Sequence, residues 1–206
     1  MSELTALPKG SLILITGTNG YIGSHIANTL LELGLRVRGT VRSDKPWLSE
    51  YFNNKFGEGA YEQVVLPHFE DEEALGKVLD GVSGVAHVAS DVSFRDDADA
   101  VINWVVKATQ GVLAAAAKQP SVKRVVLTSS SSAVVFPVPN QTGVRVDETS
   151  WNDAAVKAAR DPNTPAENKP WVVYGSSKTE GERAAWEWVE KNKPGFVFNS
   201  ILPNLN

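Results

Sequence analysis

The chain has 206 residues, of which 42% are hydrophobic and 21% charged, so it can bury one sizeable core and we expect a single compact domain over residues 1–206. Its net charge of −4, without any basic block, argues against nucleic acid or an acidic membrane surface as the main partner. The absence of cysteine and the scattering of its three histidines exclude a disulfide framework and argue against a metal site.

No membrane segment or leader is predicted. No continuous apolar run approaches the roughly eighteen residues that are needed to cross a bilayer. Residues 1–10 lack the charged and apolar regions of a signal peptide. We therefore expect a soluble protein of the cytoplasm.

The first half of the chain alternates between predicted strands and helices. The apolar run at residues 12–15 predicts a strand that is buried on both faces, and it leads through a glycine-rich turn into a helix over residues 21–33. Strands are also predicted at residues 35–41, 63–66 and 82–88, a helical or irregular segment at 43–56, and a helix at 70–79.

The second half continues this pattern with one interruption. Five prolines between residues 133 and 170 predict a long irregular excursion with one helical turn at about 154–159. A helix is predicted at about 97–118, a strand at 122–127, a helix that carries Tyr174 and ends at about residue 193, and a strand at 196–202. Strands that alternate with helices predict a Rossmann-type α/β fold, a doubly wound parallel sheet with helices on both faces.

The turn after the first strand has the spacing G-x-x-G-x-x-G. A pyrophosphate needs a tight turn, a backbone without side chains in the way, and free amide groups at a helix N-terminus. The strand before this turn and the helix after it therefore favour dinucleotide binding over a plain loop. The candidate cofactor-binding residues of the turn are Gly17, Thr18, Gly20, Tyr21, Ile22 and Gly23.

The end of the second predicted strand bears on the choice of cofactor. Arg42 follows Gly23 by nineteen residues, about where the adenosine ribose is expected. A guanidinium can grip a 2′-phosphate, whereas a carboxylate would bind free ribose hydroxyls and repel the phosphate. Arg42 and Lys45 therefore favour NADP over NAD, with Asp44 as the rival and two solvated charges as the alternative.

Two further segments carry groups suited to carbonyl chemistry. Tyr174 and Lys178 lie four residues apart in a predicted helix, so both side chains leave the same face. A cation close to a phenol favours the phenolate, which makes the phenol usable in proton transfer near neutral pH. The serines at residues 129–132 follow the fifth strand, where a hydroxyl could donate to a substrate carbonyl oxygen. These residues alone leave open which serine does so.

Together these segments resemble the extended short-chain dehydrogenases/reductases. A narrower resemblance links the chain to the fungal NADPH-dependent aldehyde and ketone reductases, which are similar to plant dihydroflavonol reductases. It rests on several dispersed blocks in order, namely Val85-Ala86-His87-Val88-Ala89-Ser90, Ser121-Val122-Lys123-Arg124-Val125-Val126-Leu127-Thr128-Ser129-Ser130, Asp147-Glu148-Thr149-Ser150-Trp151-Asn152 and Lys178-Thr179-Glu180.

The resemblance implies a carbonyl reductase that delivers a hydride from NADPH to a ketone or aldehyde. It selects Ser130 to polarise the carbonyl oxygen, Tyr174 as the general acid, and Lys178 to hold the nicotinamide ribose and promote ionisation of the tyrosine. It makes Arg42 the ligand of the 2′-phosphate. The further cofactor-binding positions that it implies are Lys45, His68, Phe69, Ala89, Tyr174, Lys178 and Pro203.

Three departures from the family pattern are visible. His68 stands before Phe69 where relatives usually carry an acidic residue that contacts the adenine. Ala108-Thr109-Gln110-Gly111 replaces the usual G-T-x-N and removes an asparagine that braces the site in many relatives. Relatives continue past the equivalent of Asn206 into a smaller substrate lobe. We therefore expect that lobe to be absent, apolar surface to be exposed in its place, and the chain to self-associate.

Two other functions remain open at this stage. One is a regulatory or interaction protein that binds NADP without chemistry, which the missing lobe favours. The other is a nucleotide-sugar epimerase or dehydratase, which shares the tyrosine and the lysine. Such enzymes normally favour NAD, so Arg42 counts against the second alternative.

Overall fold

The computed structural model describes residues 6–204. These residues divide into two compact units, each of which is assembled from separate stretches of the chain. The first unit holds the described residues up to 89, residues 111–127 and residues 193–199, and the second holds residues 90–110, residues 128–192 and the described residues from 200 onward. A single domain over residues 1–206 stays a prediction.

Six strands and six α-helices alternate along the described residues. The strands are β1 (Leu12–Thr16), β2 (Arg36–Val41), β3 (Tyr61–Val65), β4 (Gly84–His87), β5 (Arg124–Thr128) and β6 (Val197–Ile201). The helices are α1 (Tyr21–Glu32), α2 (Pro46–Phe56), α3 (Glu72–Val78), α4 (Ala98–Ala117), α5 (Asp153–Arg160) and α6 (Lys169–Asn192), with one 3-10 turn at Ser131–Ala133.

The strands form one sheet in the order β3-β2-β1-β4-β5-β6. β1 pairs in parallel with β2 and with β4, so that Thr16 lies beside both Thr40 and His87. The pairs β2–β3 and β4–β5 are also parallel. The order reverses at β1, where doubly wound sheets bind their ligands at the carboxyl ends of the strands. The predicted Rossmann-type fold is confirmed.

The core of the first unit explains why β1 forms where the apolar run lies. All five residues of β1 are buried, as expected for a strand that is covered on both faces. A hydrophobic cluster joins Ile15 of β1 to Ala27 of α1, Val37 of β2 and Phe52 of α2. The carboxyl end of β1 is therefore held by a packed core, and the glycine turn begins there.

The long excursion that the prolines predict contains more helix than expected. The helical turn predicted at about 154–159 is part of α5, which has two turns. Asn152 precedes its first residue as the N-cap, and the Asn152 side-chain oxygen accepts a hydrogen bond from the Ala155 amide at 3.1 Å. α6 begins at Lys169, and Pro170 stands in its first turn, where a missing amide proton is tolerated.

Close backbone packing fixes α6 within the second unit. A Cβ atom added to Gly175 would lie 2.4 Å from Phe136 Cζ and 3.3 Å from Ala155 Cβ, and one added to Gly181 would lie 2.8 Å from Val105 Cγ1. Arg160 also forms an ion pair with Glu180, at 2.8 Å. Since the glycines leave no free space on these faces, the rotation of α6, and with it the direction of Tyr174 and Lys178, is set by packing.

One helix bears on the expectation about membrane segments. Among the described residues, α4 is long and apolar enough to cross a membrane by length and composition. Asp99 and Lys107 interrupt its apolar residues, so the expectation that no continuous apolar run reaches this length is unaffected. Half of the most apolar 18-residue stretch of α4 is buried inside the structure. The core helices of soluble proteins pass the same test, so this finding is weak evidence for a membrane.

Candidate active site

The glycine turn of the first unit has the geometry of an anion-binding loop. Gly17 has a φ of +72°, which side chains rarely allow, and its amide donates to the Thr40 carbonyl oxygen at 3.1 Å. A Cβ atom on Gly23 would lie 2.3 Å from the Gly17 carbonyl oxygen, so only glycine fits there. α1 has Gly20 as its N-cap, and it has neither a side-chain cap nor an acidic residue in its first turn. Its first amide groups can therefore receive an anion.

Thr18 lies beneath this turn rather than on its surface. It is fully buried, and its hydroxyl donates to the Thr40 carbonyl oxygen at 3.3 Å and bonds to the Tyr61 hydroxyl at 2.9 Å. Burial raises the pKa of Tyr61 to about 12, so this phenol stays protonated. A Cβ atom on Gly39 would lie 2.2 Å from the Tyr61 hydroxyl oxygen. Thr18 thus anchors the turn to β2, and its amide also donates to the Thr40 carbonyl oxygen at 3.1 Å.

Ala89 is held beside the glycine turn by a threonine of β1. Thr16 Oγ1 accepts hydrogen bonds from the amides of Val88 and Ala89, each at 2.9 Å, and contacts His87 Nδ1 at 2.9 Å. A Cβ atom on Gly17 would lie 3.4 Å from Ala89. The end of β4 therefore packs directly against the turn, and the cofactor contact of Ala89 stays a prediction.

The two residues between Gly20 and Gly23 differ in their surroundings. Tyr21 is 69% exposed, and its ring meets the ring of His25 edge-on with the centroids 4.9 Å apart. Ile22 is half-buried.

The candidate residues that follow β2 differ in exposure and in their contacts. Arg42 is exposed and makes no hydrogen bond or ion pair with any described residue. Asp44, its rival, accepts a hydrogen bond from the Gln63 side chain through Oδ1. Lys45 is half-buried and occupies the N-cap position of α2. The structure therefore leaves the guanidinium of Arg42 available to a ligand while the carboxylate of Asp44 is engaged.

The two candidate residues after β3 lie in opposite environments. His68 is exposed. Phe69 is 4% exposed, and its ring meets the ring of His87 edge-on with the centroids 5.7 Å apart.

Hydrogen bonds in the second unit distinguish the four serines. Ser130 Oγ accepts from Ser132 Oγ at 2.9 Å and from the Ser132 amide at 3.3 Å, and its own proton goes to no described residue. Ser131 donates to Asn204 Oδ1 at 3.2 Å. Ser129 Oγ is buried without a hydrogen-bond partner in the part of the chain that the structure describes. Ser130 alone combines a fixed oxygen with a free proton, and the bond from Ser132 strengthens it as a donor.

Tyr174 and Lys178 meet on one face of α6, as their spacing predicts. Lys178 Nζ lies 5.8 Å from the centroid of the Tyr174 ring and donates to the Thr128 carbonyl oxygen at 3.4 Å. The Tyr174 hydroxyl has no hydrogen-bond partner among residues 6–204. Lys178 is 7% exposed, and burial lowers its pKa to about 8, while the charge of Glu182 opposes this shift. A buried cation thus stands beside a phenol that is free to bond a ligand.

Pro203 closes the same region of the second unit. Its carbonyl oxygen accepts a hydrogen bond from the Ser131 amide at 2.8 Å, and the Ile201 carbonyl oxygen accepts one from the Ser129 amide at 2.8 Å. The segment after β6 is thereby tied to the serine run that contains Ser130.

Sequence reasoning missed an aromatic residue beside the tyrosine. The Phe94 ring lies against the Tyr174 ring with centroids 5.1 Å apart, and Trp171 meets Phe94 edge-on at 4.9 Å. Phe94 has a φ of +52°, a left-handed conformation that bulky residues rarely adopt. A single aromatic residue in the polar loop after β4 was the only signal available in the sequence.

Doubly wound sheets that carry a glycine turn after β1 and a Tyr-x-x-x-Lys helix are typical of the extended short-chain dehydrogenases/reductases, and the fold places the chain in that class. The chain belongs to the 3-beta hydroxysteroid dehydrogenase/isomerase family, whose sequence profile matches residues 14–185. The family resemblance that the motifs predicted is confirmed.

Several similar proteins are reductases by name, and one that is 42% identical over 205 residues is named NAD-dependent epimerase/dehydratase terH, of Aspergillus terreus. The chain is 42% identical over 202 residues to the ketoreductase nvfG of Aspergillus novofumigatus, covering 97% of this chain and 59% of that protein. It is 42% identical over 206 residues to aldehyde reductase 2 of Sporidiobolus salmonicolor, covering 96% and 58%. The crystal structure of yeast methylglyoxal/isovaleraldehyde reductase Gre2 with NADPH matches at a TM-score of 0.74 and 28% identity, covering 94% and 57%. The chain thus spans less than two thirds of each of these relatives.

Proposed function

We propose that the protein is an NADPH-dependent carbonyl reductase that transfers a hydride to a ketone or aldehyde and gives an alcohol. The observation that carries this proposal is the free hydroxyl proton of Ser130 in the same unit as the Tyr174 phenol, which has a buried ammonium beside it. Relatives that are named ketoreductase and aldehyde reductase support the same reaction class.

The residues of the first unit fit a dinucleotide with a 2′-phosphate. The open amide groups at the start of α1 and the missing Cβ atoms of Gly17 and Gly23 suit a pyrophosphate. The free guanidinium of Arg42, with Lys45 near it in sequence, suits the extra phosphate. NADPH would supply the hydride when bound, and the protein would supply position and polarity.

Four candidate residues of the second unit have separate roles in this proposal. Ser130 donates its free proton to the carbonyl oxygen and polarises the carbonyl. Tyr174 donates a proton to the same oxygen as negative charge develops there. Lys178 binds the nicotinamide ribose and, as a cation, stabilises the phenolate that remains. Pro203, tied to the Ser131 amide, would border the nicotinamide.

Arg42→Ala is expected to weaken NADPH binding by about 10- to 100-fold and to change NADH binding less than about twofold. The reason is the loss of a charge-assisted contact that only the 2′-phosphate receives. Arg36→Ala is the matched control, because Arg36 is exposed at the opposite end of β2. Calorimetric titration of each variant with both cofactors measures the effect. Equal losses for NADPH and NADH would contradict the assignment of Arg42.

A turnover assay separates this function from its alternatives. NADPH oxidation with a panel of aryl ketones and aldehydes is expected to show reduction of at least part of the panel. Cofactor binding without turnover would favour a regulatory protein that binds NADP. Turnover of a nucleotide sugar with NAD and without net oxidation would favour an epimerase or dehydratase.

The fold resembles that of soluble reductases, and we propose that the protein is soluble and cytoplasmic.

We also propose that the protein self-associates. The edge strand β6 exposes Ile201 at 58%, an apolar side chain of the second unit that another copy of the chain can cover. Light scattering is expected to show oligomers that diminish in the Ile201→Lys variant. A monodisperse monomer at all concentrations would contradict this expectation.

A further inference from the structure

A buried carboxylate follows Lys178 by one turn of α6 and has no role in the proposed steps. Glu182 is 5% exposed. Tyr174, Lys178 and Glu182 succeed one another at four-residue intervals and so lie along one face of the helix. Carboxylates are rarely buried to this extent unless another group compensates their charge.

The hydrogen bonds of Glu182 satisfy only one of its two oxygens. Oε1 accepts a hydrogen bond from Ser200 Oγ of β6 and one from Trp186 Nε1 at 3.4 Å. Oε2 is buried and has no hydrogen-bond partner in the part of the chain that the structure describes. A buried carboxylate oxygen without a hydrogen-bond donor is unfavourable. This cost indicates that a nearby positive charge stabilises the Glu182 carboxylate.

The ammonium of Lys178 is the complementary charge. Its contacts are the Thr128 carbonyl oxygen from β5 and the ring of Tyr174 from its own helix. Ser200 is the contact of Glu182 from β6. The groups from both strands are uncharged, whereas Glu182, one helical turn away on α6, is an anion whose charge acts on Lys178 without a direct ion pair in the part of the chain that the structure describes. Burial lowers the pKa of Lys178, and the Glu182 charge opposes that shift.

We propose that Glu182 is a positioning residue of the site, whose carboxylate keeps the Lys178 ammonium charged and aligned beside Tyr174. This inference rests on the proposed function, in which Lys178 acts as a cation. Without the charge of Glu182, the buried ammonium releases its proton more readily, and the tyrosine loses its cationic neighbour near neutral pH.

A titration of Lys178 tests this role directly. Glu182→Gln removes the charge and keeps an oxygen acceptor for Ser200. In protein labelled with 13C at the lysine ε-carbons, the Lys178 signal is identified by its absence from Lys178→Met. It is expected to titrate about one pH unit lower in Glu182→Gln than in the wild type. Glu187→Gln, which changes an exposed acid of the same helix, is expected to leave it unchanged.

The role of Glu182 and the proposed function are tested by separate measurements. The alkaline limb of the pH profile of kcat/KM is expected to move down by the same amount in Glu182→Gln. If the wild type turns over no carbonyl substrate, the proposed function fails while the titration still decides the role of Glu182. An unchanged Lys178 titration in a folded Glu182→Gln protein overturns the inference.

A variant that does not fold also gives an answer. If Glu182→Gln leaves the Lys178 charge alone in the interior and the protein unfolds, adding Lys178→Met is expected to restore the fold, because neither charge then remains. Circular dichroism of the single and double variants measures this. A double variant that stays as unfolded as the single one shows that Glu182 acts through packing rather than charge, and it overturns the inference.

Discussion

Tyr174→Phe is expected to lower the rate of NADPH-dependent carbonyl reduction by about 10²- to 10⁴-fold, the range that a positioned general acid contributes. The hydroxyl of Tyr174 makes no hydrogen bond with any described residue, so its removal leaves no buried group without a partner. Cofactor affinity and the melting temperature are therefore expected to stay close to those of the wild type. Initial rates at saturating NADPH measure the loss.

Tyr51→Phe is the matched control for this variant. Tyr51 lies on α2 and is 54% exposed, and it has no role in the proposed reaction. Its removal is expected to leave the rate unchanged. If Tyr174→Phe retained wild-type turnover, a role for Tyr174 as the proton donor would be untenable.

Lys178→Met is expected to reduce the rate of carbonyl reduction by at least about 10²-fold.

Lys178→Met is also expected to change how the free energy of unfolding depends on pH. Burial lowers the pKa of Lys178 to about 8 from the usual 10.5, so the charged form is disfavoured in the folded protein. Below about pH 8 the ammonium is charged in both states and its burial destabilises the fold. Between those two pKa values the folded protein releases the proton first, so wild-type stability rises with pH.

The difference in unfolding free energy between the wild type and Lys178→Met isolates this contribution. It is expected to change in favour of the wild type by about 2 kcal/mol between about pH 7 and about pH 10. Other groups that titrate in this range contribute equally to both proteins and cancel. Urea unfolding at several pH values measures the difference. A constant difference over this range would show that Lys178 is not buried as a charge.

The fold could be predicted from the sequence because β1 is a short apolar run that ends in a turn and because strands alternate with helices along the chain. β1 illustrates this, since all five of its residues are buried and the glycine turn follows at once. Residues 133–170 could be predicted only in part. Their prolines hide local helix signals, and α5 depends on the capping side chain of Asn152, which is visible only when its contact with Ala155 is known.

The candidate site was predictable where one motif carries the chemistry and less so where packing decides. The spacing of Tyr174 and Lys178 places both on one helix face in any α-helix. The same spacing extends to Glu182, but its burial depends on the contact with Ser200 of β6, which lies eighteen residues further along the chain. Phe94 reaches Tyr174 through a left-handed backbone conformation that no sequence pattern signals.

The side-chain directions of the predicted cofactor-binding residues also depend on packing. Thr18 belongs to the glycine turn by sequence, yet its hydroxyl points to Tyr61 in the core. Phe69 follows β3 as the family pattern implies, and its ring is buried against His87. Such directions follow from long-range packing, which one sequence does not reveal.

Transfer of deuterium from cofactor to product tests the central proposal most directly. The protein is incubated with a ketone of the panel that it reduces and with NADPH that carries deuterium at its hydride-donating carbon. The alcohol product is then analysed by mass spectrometry. One deuterium at the carbinol carbon is expected with the wild type, at a rate that falls with Tyr174→Phe. NADPH that binds and yet passes no deuterium to any substrate of the panel would contradict a carbonyl reductase.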